Sequence, residues 1–321
     1  MLQPQQAATM RDRFDDIAAL AARTNKATVL VVQQFPVPAD RGVYFPQVRE
    51  SIANLMAFVE LGAAEDLASV LAESESFNWI AVDCDHKLPE SAAIVQTAAS
   101  CIAPSRLLFF SDNQVWADSA LDMVQRIEGG LSGKAVALCG AGPLVESLAL
   151  VLPRIGARVI GLHAGGAPVD VSVVLGGSQK RESIDAALVA RLPDAAAVYD
   201  LGIGSLTFEA AELARSRGLR LYRFDNRAGI SSAIVRLLET DNMVTKLMGR
   251  ARLRDVEIVA AGLLAPAGAV IVDDIRQPTT IFGVADGRGR FREPIGAEDR
   301  ERVEYVRTLI AHALGATASR H

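Results

Sequence analysis

Between Gly133 and Gly166 the chain reads GKAVALCGAGPLVESLALVLPRIGARVIGLHAGG: an aliphatic run, a glycine turn, a helix opened by proline, and a second aliphatic run. Two apolar runs of strand length joined by a helix form a parallel strand–helix–strand unit, since a crossover of that kind is what returns the chain to the same end of a sheet. The turn GAGP therefore belongs at the carboxyl edge of the first strand. Gly140 permits the turn and Gly142 lets a ligand approach the main chain. The first amides of the helix have no intrahelical partner and carry the positive end of its dipole, which makes Gly140, Gly142, Pro143 and Leu144 candidates for holding a phosphate or carboxylate. Pro143 fixes the helix start and removes one donor. Val145 stands where a third glycine would allow close helix–strand packing.

The second run ends in His163 rather than in Asp or Glu. A carboxylate at that point binds the ribose hydroxyls of NAD and repels a 2′-phosphate, so its absence favours NADP over NAD. S-adenosylmethionine is the alternative adenosine ligand, and His163 is a candidate contact to an adenine or phosphate. A second turn, YDLGIGSLT, follows a later apolar run and places Gly202 and Gly204 on the same rim, where small residues let a flat ring lie against the backbone.

Strand-like and helix-like segments alternate on both sides of this unit. Hydrophobic residues make up 50% of the 321 and aromatics only 5%, so the runs are aliphatic, as in a parallel sheet buried on both faces. The fold class expected is α/β: a small N-terminal α/β domain, then a Rossmann-like doubly wound parallel sheet, then a C-terminal β extension and a terminal helix. The expected divisions are 1–128 for the substrate domain, 129–240 for the nucleotide domain and 241–321 for the extension and helix. In the first of these, Arg11–Arg23 and Val48–Leu61 carry helical spacing, the latter through Ile52, Leu55, Met56 and Val59. ARVIGLH and VDVSVVLGG are separated by too few residues for a crossover helix, so either the second is not a parallel neighbour of the first or the fold is abbreviated there. Past Thr240, short apolar runs broken by APAG, DIRQP and ADGRG predict antiparallel strands.

Chemistry at neutral pH needs a group that holds or moves a proton. The densest polar set is DCDHK, with Asp83, Asp85, His86 and Lys87 directly after an apolar strand. Lys87 beside two carboxylates is a candidate proton relay or substrate clamp. Asp112, in the polar patch SDN before the helix that leads into the nucleotide domain, is the second catalytic candidate. The strand-end residues Asp225, Asn226 and Arg227 fit ligand contact and helix capping equally.

The order of these parts, with LSGKAVALCGAGP opening the nucleotide domain, resembles the amino-acid-dehydrogenase-like group. That group includes the methylene-tetrahydrofolate, methylene-tetrahydromethanopterin and shikimate dehydrogenases and the dehydrogenase of pyrrolysine biosynthesis. The resemblance implies an NAD(P)-dependent oxidoreductase that binds its cofactor on Gly140 and Gly142 and a small polar or pterin-like substrate between the domains, near Lys87 and Asp112. VYDLGIGSLT is similar to the Rossmann-like methyltransferase of the iron-guanylylpyridinol cofactor pathway, which implies S-adenosylmethionine instead. A non-catalytic ligand-binding subunit is the third reading.

A net charge of −5 argues against a general nucleic-acid surface. No apolar run reaches the roughly 18 residues of a membrane span, and the N-terminus lacks the order of a signal peptide, so a cytoplasmic protein is expected. Cys84, Cys101 and Cys139 lack metal-ligand spacing and read as reduced thiols, with no metal site. Aliphatic edges left uncovered are hazardous, which predicts a homodimer.

Overall fold

A computed structural model describes the chain apart from residues 1–3, 36–42, 46–47, 52–53, 89, 162–169, 178–181, 203, 225–226, 261 and 319–321. The chain divides into two compact units, Met1–Ile234 and Val235–His321.

Helix α1 (Pro4–Thr24) buries Met10, Phe14, Ile17 and Ala21, one residue per turn, and sets Phe14 edge-on to Phe77 at 4.9 Å. After it come β1 (Ala27–Gln34), β2 (Val43–Tyr44), β3 (Arg49–Glu50) and β4 (Asn54–Leu61). The expected helix over Val48–Leu61 is thus replaced by strands. In β4 all residues but Glu60 are buried, and a run apolar on every side satisfies the helical and the strand period alike. Pairing decides: β4 lies parallel to β1 in unbroken register from Ala27–Asn54 to Gln34–Leu61. Helix α2 (Leu67–Ala72), β5 (Trp79–Asp83), α3 (Ser91–Cys101), β6 (Leu107–Phe110) and α4 (Asp112–Glu128) follow. The first sheet has the order β2-β4-β1-β5-β6, with β3 also on β4. Strands β4, β1, β5 and β6 are parallel, so their carboxyl ends share one edge.

The second sheet comprises β7 (Ala135–Cys139), β8 (Arg158–Gly161), β9 (Val173–Gly176), β10 (Ala197–Asp200) and β11 (Arg220–Arg223), all parallel, in the order β11-β10-β9-β7-β8. Its helices are α5 (Pro143–Val151), α6 (Ala186–Ala190), α7 (Phe208–Ser216) and α8 (Arg227–Asn242). Of the two expectations for ARVIGLH and VDVSVVLGG, the first holds: β9 is parallel in the sheet but pairs with β7 rather than β8, and residues 162–169 of the connection lie outside the described residues. Because β8 and β9 flank β7 on opposite sides, the strand order reverses at β7, and its carboxyl end is a topological switch point.

In the second unit, β12 (Gly249–Leu253) and β13 (Val256–Ala260) form an antiparallel hairpin. Strand β14 (Val270–Val272) is parallel to β13, and β15 (Ile281–Val284) is antiparallel to β14. The extension is therefore mixed rather than purely antiparallel. Helix α9 (Ala297–Ala318) packs Val306 and Ile310 onto Ile258, Val270 and Val272 of this sheet. No helix among the described residues is long and apolar enough to cross a membrane.

Candidate functional site

Strands β5 and β6 are neighbours, so the loop after one meets the helix that follows the other. That neighbourhood brings Lys87 and Asp112 together across 25 positions of sequence. The Lys87 Nζ lies 2.6 Å from Asp112 Oδ2, 2.9 Å from Asp83 Oδ2 and 3.6 Å from Asp85 Oδ2. Each carboxylate is itself oriented. Asp112 Oδ1 accepts from Gln33 Nε2 at 2.7 Å. Asp85 accepts from the Ser111 hydroxyl and the Asn113 amide, both at 2.7 Å, while Asp83 Oδ1 accepts from the Asp85 amide at 3.0 Å. Ser111 also caps α4, accepting from the Gln114 amide, so one hydroxyl ties the helix start to the acidic loop.

The Lys87 side chain is 11% exposed and that of Asp83 is fully buried. Burial disfavours the Lys87 ammonium, but Asp112 and Asp83 outweigh it and raise its pKa above the ordinary lysine value. Burial likewise raises the Asp83 carboxyl above the usual carboxylate range, against the opposing charge of Lys87. Glu60, the penultimate residue of β4, is raised by burial and by the Asp112 charge, with Arg49 acting against them. Among the described residues, the edge thus holds the Lys87 ammonium with four carboxyl groups. Cys84 between them is half-buried, and burial followed by Asp85 and Asp83 pushes its thiol up, which keeps it protonated and a poor nucleophile.

At the carboxyl edge of the second sheet the geometry is made by main chain. Gly140 and Gly142 have φ of 105° and 114°, in the region that favours glycine, and Gly142 begins α5 without any side-chain cap. Gly140, Ala141 and Pro143 are exposed, and Gly142 and Leu144 are half-buried, so the corner is open. The Glu146 amide closes the first turn onto the Gly142 carbonyl at 3.0 Å, and its exposed side chain already places one negative charge there. Val145 lies against Gly177, which has no side chain to crowd it. A side chain at Gly177, just after β9, would sit 3.2 Å from Leu144 and 3.4 Å from Val145.

Two other expected contacts differ in standing. His163, like Asp225 and Asn226, lies outside the described residues. Gly202 is half-buried and Gly204 has φ 105°, but the turn they occupy is closed on itself: Asp200 accepts from the Gly204 and Ser205 amides at 2.8 and 3.0 Å. Thr207 caps α7, accepting from the Ala210 amide. The Ser205 hydroxyl instead donates to the Gly176 carbonyl at 2.8 Å.

Helix α4 joins the two edges. Its first residue is Asp112, while Trp116 packs on Phe224, which follows β11, with ring centroids 5.0 Å apart. Ala120 and Val124 enter the core of the second sheet. At its far end Glu128 receives the Tyr199 hydroxyl at 2.7 Å and two bonds from Arg220 at 2.9 and 3.1 Å, with Lys134 at 3.5 Å. These partners hold the Glu128 carboxyl below its ordinary range despite partial burial.

Sequence reasoning found Lys87 and Asp112 but missed Gln33, Gln34 and Glu60. The two glutamines carried a legible signal, a polar pair closing the apolar run ATVLVV. Glu60 was hidden because its segment reads as helix.

No protein-family model and no curated protein matches the chain. Among solved structures, it is similar to a bifunctional 5,10-methylenetetrahydrofolate dehydrogenase/cyclohydrolase from Thermoplasma acidophilum, with 12% identity, a TM-score of 0.41, and 74% of this chain and 97% of that one covered. It is also similar to an N5,N10-methylenetetrahydrofolate dehydrogenase-cyclohydrolase from Trypanosoma brucei complexed with NADP cofactor and inhibitor, with 15% identity, a TM-score of 0.40, and 73% and 94% covered. A shikimate dehydrogenase in complex with NADP+ follows at 11% identity and a TM-score of 0.37, with 69% and 91% covered.

Proposed function

We propose that this chain is an NAD(P)-dependent oxidoreductase acting on a small polar or pterin-like metabolite. The observation that carries the reading is the pairing, through α4, of a proton-holding Lys87 cluster with an open glycine turn at a topological switch point. The turn fits a dinucleotide: its positive-φ glycines, exposed corner and uncapped helix leave room and main-chain donors for a pyrophosphate. Gly140, Gly142, Pro143 and Leu144 would hold that group. A bound nicotinamide supplies the hydride chemistry. The chain's own part is to bind, orient and exchange a proton.

Lys87 holds that proton at Nζ. Its raised pKa makes it a hydrogen-bond donor and general acid at neutral pH rather than a free base. Asp112 faces Lys87 with one oxygen and Gln33 with the other, so it orients the ammonium and stabilises its charge. A substrate carbonyl or imine taking one of the Nζ protons would leave a neutral amine, which takes its replacement proton from solvent, and Asp112 at 2.6 Å would favour the return to the ammonium.

Thermal stabilisation of the purified protein by NADPH, NADH and S-adenosylmethionine, each added separately, tests the reading. A ligand at a hundred times its Kd stabilises by about 2.7 kcal/mol. The expected order is NADPH above NADH, with no effect of S-adenosylmethionine. Stabilisation by S-adenosylmethionine alone overturns the proposal.

A further inference from the structure

Every hydrogen-bonding position of the Gln34 side chain is taken by the segment that carries Lys87. Its Nε2 donates to the Asp83 carbonyl at 2.9 Å and to the Asp85 carbonyl, and its Oε1 accepts from the Lys87 amide at 3.3 Å and the Ser91 hydroxyl at 2.8 Å. A carboxamide has two donors and two acceptor positions, so no capacity is left over. Gln34 is 3% exposed and ends the central strand of the first sheet. Its neighbour Gln33 reaches Asp112, but the Gln34 side chain bonds to none of the carboxylates around Lys87. It holds the backbone from which Lys87 projects.

The ion pairs alone would not fix that backbone. Attraction between an ammonium and several carboxylates is weakly directional and is satisfied by many loop shapes, whereas hydrogen bonds to named carbonyls and an amide are satisfied by few. The Asp83 carbonyl is buried, and such a group left without a donor is costly, so the loop has reason to wrap around Gln34 in one way.

We propose that Gln34 is the positioning residue of the site, moulding residues 83–87 so that the ammonium of Lys87 falls between Asp83 and Asp112. The inference rests on reading Lys87 as the proton-holding group, and it names what sets that group's place.

The chain has only five lysines, Lys26, Lys87, Lys134, Lys180 and Lys246, so the full-length protein labelled with 13C at lysine Cε gives one resolvable signal for each. Lys87→Arg assigns the signal of interest. Among the described residues, the charged groups facing Lys87 are Asp83 and Asp85 from its own loop and Asp112 from α4, with Glu60 of β4 beyond Asp112. Cys84→Ser in every sample removes the neighbouring Cys84 thiol.

In Gln34→Leu and Gln34→Met the midpoint of Lys87 should fall by about one pH unit as its carboxylate partners are lost. Lys26 and Lys134, whose partners lie elsewhere, should not move. Gln34→Asn keeps the carboxamide but draws it back by one carbon, and gives a smaller shift of the same sign if the other variants fail to fold. An unchanged Lys87 midpoint in the folded variants overturns the proposal. NADPH binding is read on the same samples: its absence from the unsubstituted protein removes the dehydrogenase reading and leaves the Lys87 titration to decide the role of Gln34.

Discussion

At the carboxyl edge of the first sheet, charged side chains from β4, β5, the loop after β5 and the start of α4 gather beside the glutamines that end β1, nearly closed to water. At the carboxyl edge of the second sheet, the glycine turn after β7 offers main chain, is exposed at Gly140, Ala141 and Pro143, and among the described residues has no side-chain cap. The first edge is built to set the charge and position of one ammonium. In the function proposed above, the second accepts a group brought from outside. The turn after β10 sharpens the contrast, because there Asp200 already occupies the amides that an incoming anion would seek. A glycine-rich turn is therefore a binding corner only when the protein's own acids leave it alone.

The largest expected effect comes from discharging the closed edge. Lys87→Ala leaves Asp83, Asp85 and Asp112 facing one another without their cation, and removing one partner of a buried pair costs about 3–5 kcal/mol. Urea unfolding at pH 7 measures it, and a change below the error of that experiment would show that the edge is not closed at all. The pH dependence follows from the shifts. The folded pKa of Lys87 is raised, so its stabilisation is complete below the ordinary lysine value of about 10.4 and is lost as pH climbs through the higher folded value. Asp83 is also raised, but for a carboxyl that means the folded state loses stability as pH rises from about 3.9 through its folded value. The Lys87→Ala deficit should accordingly shrink on acidification.

Next comes the open turn. Gly142→Ala forces a side chain into φ 114°, and backbone strain of this kind costs on the order of 1–3 kcal/mol. Because the strain falls on the corner itself, NADPH affinity by titration calorimetry should drop about tenfold or more. Gly204→Ala puts similar strain at φ 105° into the turn that Asp200 has closed, so it should lower thermal stability while leaving NADPH affinity unchanged. Equal affinity losses in the two variants would erase the distinction between the turns. The smallest effect is expected from Glu146→Gln, which removes a like charge from the first turn of α5 and should tighten NADPH about two- to fivefold at low salt.

Much of this was legible in the chain. The β7–turn–α5–β8 unit was readable because glycine, proline and aliphatic periodicity all mark the same boundaries. Lys87 and Asp112 stood out as polar residues at the ends of apolar runs. What was not legible depends on lateral order. That Asp112 meets Lys87 requires β6 to lie beside β5, and no local pattern states which strands are neighbours. The β4 segment was misread for a related reason: a run buried on every side fits both periods, and its strand state is fixed by pairing with β1. Gln34 escaped notice because its importance lies in four partners on a loop about fifty residues away, not in its own type.

Helix α4 has a consequence for anyone wishing to divide the molecule. Its cap belongs to the first sheet and its flank to the second, so a fragment stopping at Glu128 would carry Ala120 and Val124 bare, and one starting at Gly129 would expose the surface they cover. The two halves should be insoluble apart and reassemble when expressed together, with this single helix as the shared seam.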